Sequence, residues 1–86
     1  MMGQFHYLKT WPEFYDEVES GKKTFELRQN DRDFQEGDTL VLQCFDPQTK
    51  TYDGRELLKE ATYVLLGGVF GLQEGFCIIG FGGGDA

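Results

Sequence analysis

The sequence predicts a small α+β domain, mainly β, in which five to six short strands and one early α-helix form a partly closed β-barrel. Apolar runs of strand length recur along the chain and are separated by Gly, Asp and Pro turn signals. A helical apolar period occurs near the N-terminus. Closure into a barrel would cover the apolar strand edges. The length suits one domain over residues 1–86.

The first predicted elements are a strand at residues 4–9 and a helix at residues 11–20. Thr10 and Glu13 fit a capping box, in which Thr10 is the N-cap residue. Gly21 is a natural residue to end the helix, because glycine adopts the left-handed conformation without strain.

One apolar stripe on this helix is formed by Trp11, Phe14 and Val18. The spacing predicts that Trp11 packs in the core or forms a hydrophobic staple at the start of the helix. In the alternative interpretation, Trp11 joins Tyr7 and Tyr52 as a surface on which bases stack.

Residues 23–29 alternate between apolar and polar side chains, which predicts a half-buried strand. Phe25 and Leu27 share the face that is predicted to be buried. Glu26 and Arg28 share the opposite face, which is predicted to meet solvent.

Turn-forming residues divide the rest of the chain into short elements. We predict a polar loop at residues 30–33, a tight turn at 36–38, strands at 39–45, 57–66 and 76–81, a wide hairpin loop between the first two of these strands, a turn or short helix at 70–74, and a flexible tail at 82–86.

The net charge of −7 argues against non-specific binding to duplex nucleic acid, which requires the neutralisation of many phosphates. A local basic site remains compatible with this charge, because exposed charges more than about 10 Å apart are largely screened at 0.1 M salt. Four of the eight basic residues fall within eleven positions, namely Lys22, Lys23, Arg28 and Arg32.

Cys44 and Cys77 lie in apolar runs, which favours buried free thiols over a disulfide. The lone His6 lies on an alternating strand and is predicted to be structural, so we expect no metal and no cofactor. No apolar run approaches the roughly 20 residues that cross a bilayer. The N-terminus lacks a signal-peptide pattern. These features predict a cytoplasmic protein that does not contact a membrane.

Residues 21–28 read G-x-K-x-x-E-x-R. This pattern resembles the signature of the ASCH family, a branch of the PUA-like β-barrels. The resemblance covers residues 5–81, because the order of strand, helix, signature, polar loop and Gly-Asp turn is also similar. It looks most like a small stand-alone bacterial and phage subgroup. The resemblance implies a PUA-like barrel with a cleft between the early helix and the sheet, and it implies RNA binding.

Some ASCH relatives are enzymes, and one removes the acetyl group from N4-acetylcytidine with a Lys, a Thr and a Glu. In the present chain Glu26 occupies the position of that Thr, and Thr24 lies two positions earlier. A hydrolase or ribonuclease is therefore an alternative, in which Lys23 and Glu26 form the acid–base pair.

The signature also suggests how a ligand would be bound. A lysine supplies a cation for phosphate, an arginine a planar fork, and a carboxylate an acceptor for exocyclic amines. Unstacked or single-stranded bases suit such a cleft better than a duplex groove. The candidate ligand-binding residues are Lys22, Lys23, Glu26, Arg28, Asn30 and Arg32.

Two simpler interpretations remain open for these residues. Glu26 and Arg28 would form an ion pair on a solvated sheet, which contributes about 0–1 kcal/mol. Arg32 and Asp31 would order their own loop. The functional hypotheses are a module that binds RNA or a modified nucleotide, a small hydrolase acting on a nucleoside-like molecule or RNA, and a protein-interaction module.

Overall fold

The computed structural model describes residues 3–82, which form six strands and one helix in a mainly β arrangement, as predicted. In chain order the elements are β1 (Phe5–Thr10), α1 (Pro12–Glu19), β2 (Phe25–Gln29), β3 (Thr39–Asp46), β4 (Thr51–Glu60), β5 (Tyr63–Leu66) and β6 (Phe76–Gly80).

The strands form two three-stranded sheets, with the orders β1-β3-β4 and β2-β6-β5. β1 runs parallel to β3, and the other three pairs are antiparallel. Neither sheet closes on itself within residues 3–82. The described strands therefore form two open sheets that share one core, and not the partly closed barrel that was predicted. β1 and β2 each lie at a sheet edge.

The core lies between these sheets and one face of the helix. Alternate residues of each strand point to the same side, so Leu40 and Leu42 of β3 share one face and are fully buried there. Val41 lies on the other face of the strand and is also buried, at 2% exposed. Burial of each such leucine stabilises the fold by about 1.5–3 kcal/mol. The core comprises Leu8, Val18, Phe34, Leu40, Leu42, Ala61, Cys77, Ile79 and Phe81.

The predicted capping box is wrong. The N-cap residue is Trp11 in an extended conformation, without a side-chain capping hydrogen bond, and Pro12 begins the helix. Pro12 suits this place because it lacks an N–H group that the first turn would leave unpaired. Thr10 is instead the last residue of β1, where it pairs with Cys44. Its side chain points inward and cannot cap the helix.

The apolar stripe of the helix also differs from the prediction. Tyr15 and Val18 are the buried residues of α1. Trp11 is 46% exposed and Phe14 is 43% exposed, and their rings stack with centroids 6.0 Å apart. The prediction that Trp11 packs in the core is therefore wrong, because Trp11 precedes the helix and its ring lies beside Phe14 at the surface.

The faces of β2 are reversed relative to the prediction. Phe25 and Leu27 are exposed, whereas Glu26 is 4% exposed. Alternation fixes which residues share a face, but tertiary partners decide which face is buried. Here two cations meet Glu26 and make its burial tolerable.

The β3–β4 connection is tighter than predicted. β3 continues to Asp46 and β4 begins at Thr51, so a short turn replaces the wide loop. Cross-strand contact between Phe45 and Tyr52, with centroids 4.9 Å apart, explains the extended pairing. Lys50 takes a positive φ of 58° in this turn.

The predicted strand at residues 57–66 is two strands. It is interrupted at Ala61, which is buried, and the chain then passes from one sheet to the other. The turn at 36–38 is confirmed, with Gly37 at φ 92°. Residues 70–74 form turns rather than a helix, and the tail prediction falls mainly on residues 83–86, outside the described part of the chain.

The two cysteines are buried free thiols, as predicted. Within residues 3–82, no helix is long and apolar enough to cross a membrane.

Candidate binding cleft

A cleft of about 550 Å³ lies where the end of β1 and the start of α1 meet the edge strand β2. Its volume falls in the range of small-molecule sites, about 300–1,000 Å³. The lining combines aromatic, charged and polar side chains: Lys9, Thr10, Trp11, Phe14, Lys23, Phe25, Glu26, Leu27, Arg28 and Gln29.

The Glu26 carboxylate is the central polar group of this cleft. Lys23 Nζ donates to Oε1 at 2.9 Å, and Arg28 Nε donates to Oε2 at 2.9 Å. The side chain of Glu26 is only 5% exposed, whereas those of Lys23 and Arg28 are 20% and 27% exposed. The simpler interpretation, in which Glu26 and Arg28 form an ion pair on a solvent-exposed sheet, is therefore wrong about the burial of Glu26. A carboxylate this buried requires both partners, because an unpaired buried charge is costly.

The end of the helix places Lys23 beside the carboxylate. Gly21 takes φ 86° and redirects the chain, while the N–H of Lys23 donates to the carbonyl oxygen of Glu17 at 3.0 Å. Lys23 Nζ also donates to the Phe25 carbonyl oxygen at 2.8 Å. It lies 4.8 Å from the ring centroid of Phe25 and 5.8 Å from that of Phe14. The ammonium group is thus fixed by oxygen acceptors and two aromatic faces.

Two arginines join β2 and the following loop to the free edge of β1. Arg28 Nη2 donates to the Lys9 carbonyl oxygen, and Arg32 Nη1 donates to the Tyr7 carbonyl oxygen at 2.9 Å. Alternate residues of an edge strand direct their carbonyl groups away from its single neighbour. The two arginines therefore donate hydrogen bonds to carbonyl oxygens of β1 that face away from β3. These bonds hold the two sheets together.

Three of the predicted binding residues do not line this cleft. Lys22 is exposed beside it. Asn30 organises its loop, since its Oδ1 accepts the N–H of Phe34 at 3.0 Å and its own N–H donates to the Gly75 carbonyl oxygen. Arg32 contacts β1 and lines a separate depression of about 370 Å³. The structure thus brings Lys23, Glu26 and Arg28 together and leaves Lys22, Asn30 and Arg32 outside.

The aromatic lining of the cleft was predicted only in part, through Trp11 as a stacking surface in the alternative interpretation. Trp11, Phe14 and Phe25 line the cleft, although Trp11 and Phe25 were predicted to be buried. Tyr7 and Tyr52, the other stacking candidates, are exposed but do not line it. The available signal was Phe25 inside the K-x-x-E-x-R run, together with Trp11 and Phe14 in the segment that precedes it.

Thr10 contributes a buried hydroxyl group at the same cleft. The residue is 3% exposed, and Oγ1 has no hydrogen-bond partner among the described residues. Buried polar groups in native proteins are nearly always paired. The predicted capping box placed this hydroxyl at the helix N-terminus, but Thr10 is the last residue of β1 and its side chain is buried.

His6 and Asp38 form a buried pair elsewhere in the core, with Nε2 and Oδ2 2.8 Å apart. Burial acts to raise the pKa of Asp38, but hydrogen bonds from the N–H groups of Gln4 and Gln35 and from His6 outweigh it, so the pKa lies below its ordinary value. His6 also packs edge-on against Phe34. The pair anchors β1 to the turn before β3, in agreement with the structural role predicted for His6.

The family comparison covers the cleft and both sheets. Residues 5–81 match the model of a family described as a domain of unknown function, DUF3850. The chain belongs to this family. A stretch of 42 residues is 43% identical to a protein of Escherichia phage P2, called an uncharacterized 12.9 kDa protein in the GpA 3′ region. That stretch covers 49% of the chain and 38% of the phage protein, so the similarity spans under half of the relative's length.

Proposed function

We propose that this DUF3850 member is a binding module that recognises RNA or a modified nucleotide in the cleft between α1 and β2. The observation that carries the proposal is the Glu26 carboxylate, 4% exposed, held between Lys23 and Arg28 among aromatic side chains. A concave site with a few convergent polar groups is the usual form of a small-ligand site.

The local charge supports an anionic ligand in spite of the net charge of −7. Lys23 and Arg28 outweigh Glu26 by one positive charge within the cleft, and Lys9 adds a further cation to its lining. Charges across the protein are screened over about 10 Å at 0.1 M salt. A phosphate at the cleft therefore meets mainly these nearby cations.

The exposed aromatic pair supports a planar ligand. Trp11 and Phe14 stack on each other and remain more than two-fifths exposed. Stacking of a base on such a ring contributes about 1–3 kcal/mol. Exposed aromatic rings beside charged side chains suit a ligand that is both flat and polar, because such a ligand can stack on the rings and form hydrogen bonds with the charged groups.

A hydrolase is the second candidate, because Lys23 Nζ and the Glu26 carboxylate are in direct contact at 2.9 Å. Such a pair would exchange a proton during attack on a nucleoside-like substrate. The additional hydrogen bond from Arg28 to Glu26 favours the binding module over the hydrolase. Both carboxylate oxygens already accept charge-assisted hydrogen bonds, which leaves the carboxylate less available as a base.

The ASCH and PUA-like relationship is part of the same proposal, and it is supported by the placement of three signature residues, Lys23, Glu26 and Arg28, along the cleft. We also propose a cytoplasmic location. Two buried free thiols, Cys44 and Cys77, are in keeping with a reducing compartment.

The experiment is an NMR titration of the ¹⁵N-labelled protein with short single-stranded RNAs and nucleoside monophosphates. Trp11 is the only tryptophan, so its indole N–H reports on the cleft without assignment. We expect Lys23→Ala to weaken binding about 10- to 100-fold, the effect of losing one charge-assisted hydrogen bond. Lys22→Ala is the matched control, because it removes the same charge beside the cleft and should change affinity less than about twofold.

Product analysis of the same mixtures separates the hypotheses. Binding without product supports the recognition module, and product that disappears in both Lys23→Ala and Glu26→Gln supports the hydrolase. If the wild-type protein neither binds nor converts any of these molecules, the nucleic-acid proposal fails. The protein-interaction module then becomes the leading hypothesis, and exposed apolar side chains such as Leu27, Leu58 and Phe70 are its candidate contacts.

A further inference from the structure

The polar groups of the cleft stand in a fixed order of hydrogen-bonding character. Lys23 bonds to one oxygen of Glu26 and Arg28 bonds to the other, so the two cations flank opposite sides of the carboxylate. Ammonium and guanidinium groups only donate, and an ionised carboxylate only accepts. A ligand therefore meets a donor, an acceptor and a donor in succession.

Each of these groups keeps hydrogen-bonding capacity for a ligand. Lys23 has three N–H donors, and its bonds within the described residues go to Phe25 and Glu26. Arg28 has five donors, of which Nε binds Glu26 and one Nη2 hydrogen binds Lys9. Each oxygen of Glu26 accepts one of these bonds and has a second lone pair.

We propose that the cleft recognises the imide edge of a uracil-type base, in which a carbonyl, an N–H and a second carbonyl follow one another. The inference rests on the proposed function and names its ligand class. Lys23 and Arg28 donate to the two carbonyl oxygens, and Glu26 accepts the central N–H. This acceptor–donor–acceptor edge is complementary to the cleft at all three places.

The other bases each present at least one mismatch to this order. Cytosine places a ring nitrogen lone pair opposite Glu26 and an amino group opposite one cation. Guanine offers a carbonyl and a ring N–H, but its amino group then faces the second cation. Adenine has a lone pair at the central place and a single amino group. A buried charge left without its partner weakens binding strongly, which is how polar sites discriminate between similar ligands.

The hydroxyl of Thr10 is an independent indication of a polar ligand. It is buried at the same cleft, and its oxygen has no partner among the described residues. Native proteins rarely leave such a group unpaired. Its position is consistent with a ligand, or a water carried with it, that supplies the missing hydrogen bond.

The test is a titration of wild-type protein with the 5′-monophosphates of uridine, cytidine, guanosine, adenosine and 3-methyluridine, followed through the Trp11 indole N–H. All five carry the same phosphate, so differences in affinity report on the base. We expect the uridine compound to bind at least about tenfold more tightly than the others, the effect of one mismatched polar contact. In 3-methyluridine a methyl group replaces the hydrogen of the central N–H, and both carbonyl groups are kept. Weak binding of this compound would therefore place the N3 position against Glu26.

The variant Glu26→Gln provides a second measurement. The amide is isosteric, but it places an N–H₂ donor where one carboxylate oxygen stood. We expect the preference for uridine over 3-methyluridine to fall toward unity, in protein whose amide spectrum remains folded.

The two proposals fail in different ways. If no monophosphate and no RNA shifts the indole signal, the proposed function fails and this inference with it. If several monophosphates bind but any of the cytidine, guanosine, adenosine or 3-methyluridine compounds binds as tightly as the uridine compound, only the imide inference is overturned.

Discussion

Replacing Thr10 with valine tests whether the cleft contains an unpaired hydroxyl group. Thr10 ends β1 and is 3% exposed, and its Oγ1 has no hydrogen-bond partner among the described residues. Valine has nearly the same shape and prefers the same strand conformation. The substitution therefore removes a polar group while leaving the packing almost unchanged.

The magnitude follows from the desolvation of that hydroxyl. A buried polar group without a partner costs about 1–3 kcal/mol, so Thr10→Val should raise the free energy of unfolding by about 1–2 kcal/mol. For a domain of this size each 1 kcal/mol shifts Tm by about 4–8 °C. We expect an increase of about 4–15 °C in a thermal melt of the ligand-free protein, together with weaker binding of any ligand that contacts Thr10.

Thr10→Ser is the matched control, because it keeps the hydroxyl and removes a methyl group. We expect it to lower the free energy of unfolding by about 1 kcal/mol. If valine instead destabilises the protein by about 1 kcal/mol or more, the hydroxyl has a partner such as an ordered water, and the reasoning is refuted.

Two further predictions concern the core. Because the pKa of Asp38 is lowered in the folded state, its stabilising contribution is complete at neutral pH and decreases as the pH falls below about 4. Urea denaturation between pH 7 and pH 3 should show this loss, and the loss should be smaller in Asp38→Asn; an equal loss would contradict the assignment. Burial raises the thiol pKa of both Cys44 and Cys77. Ellman's reagent should therefore label them slowly in the folded protein and fully in urea, and fast labelling under native conditions would contradict their burial.

The sequence was sufficient for element type wherever one pattern dominated. The alternation in β1 and the apolar run in β3 matched the observed strands, because each segment carries a single dominant pattern. The sequence was insufficient near Ala61, where the chain passes from one sheet to the other. Residues 57–66 have a continuous strand-like pattern, so the break between β4 and β5 could not be predicted from it. The capping-box prediction was wrong because Thr10 pairs with Cys44 in the sheet and points its side chain inward, so its hydroxyl cannot cap the helix.

The candidate site was predicted in part. The G-x-K-x-x-E-x-R pattern identified Lys23, Glu26 and Arg28, which the structure joins through two hydrogen bonds. Spacing cannot reveal which face of β2 meets the core, so the exposure of Phe25 was missed. Proximity in sequence also suggested Asn30, whose side chain is committed to the N–H of Phe34.

The arrangement at β2 is difficult to explain by stability alone. A buried ion pair contributes little net stability, because desolvation offsets most of the attraction, and apolar replacements are often neutral or stabilising. Exposed aromatic rings also forgo the gain of burial, about 25 cal/mol per Å². At this strand Glu26 is buried and Phe25 is 42% exposed, the reverse of what a purely structural strand would favour. Both Glu26 and Phe25 line the same cleft. A single bound ligand that is flat and polar would account for the burial of the carboxylate and the exposure of the ring.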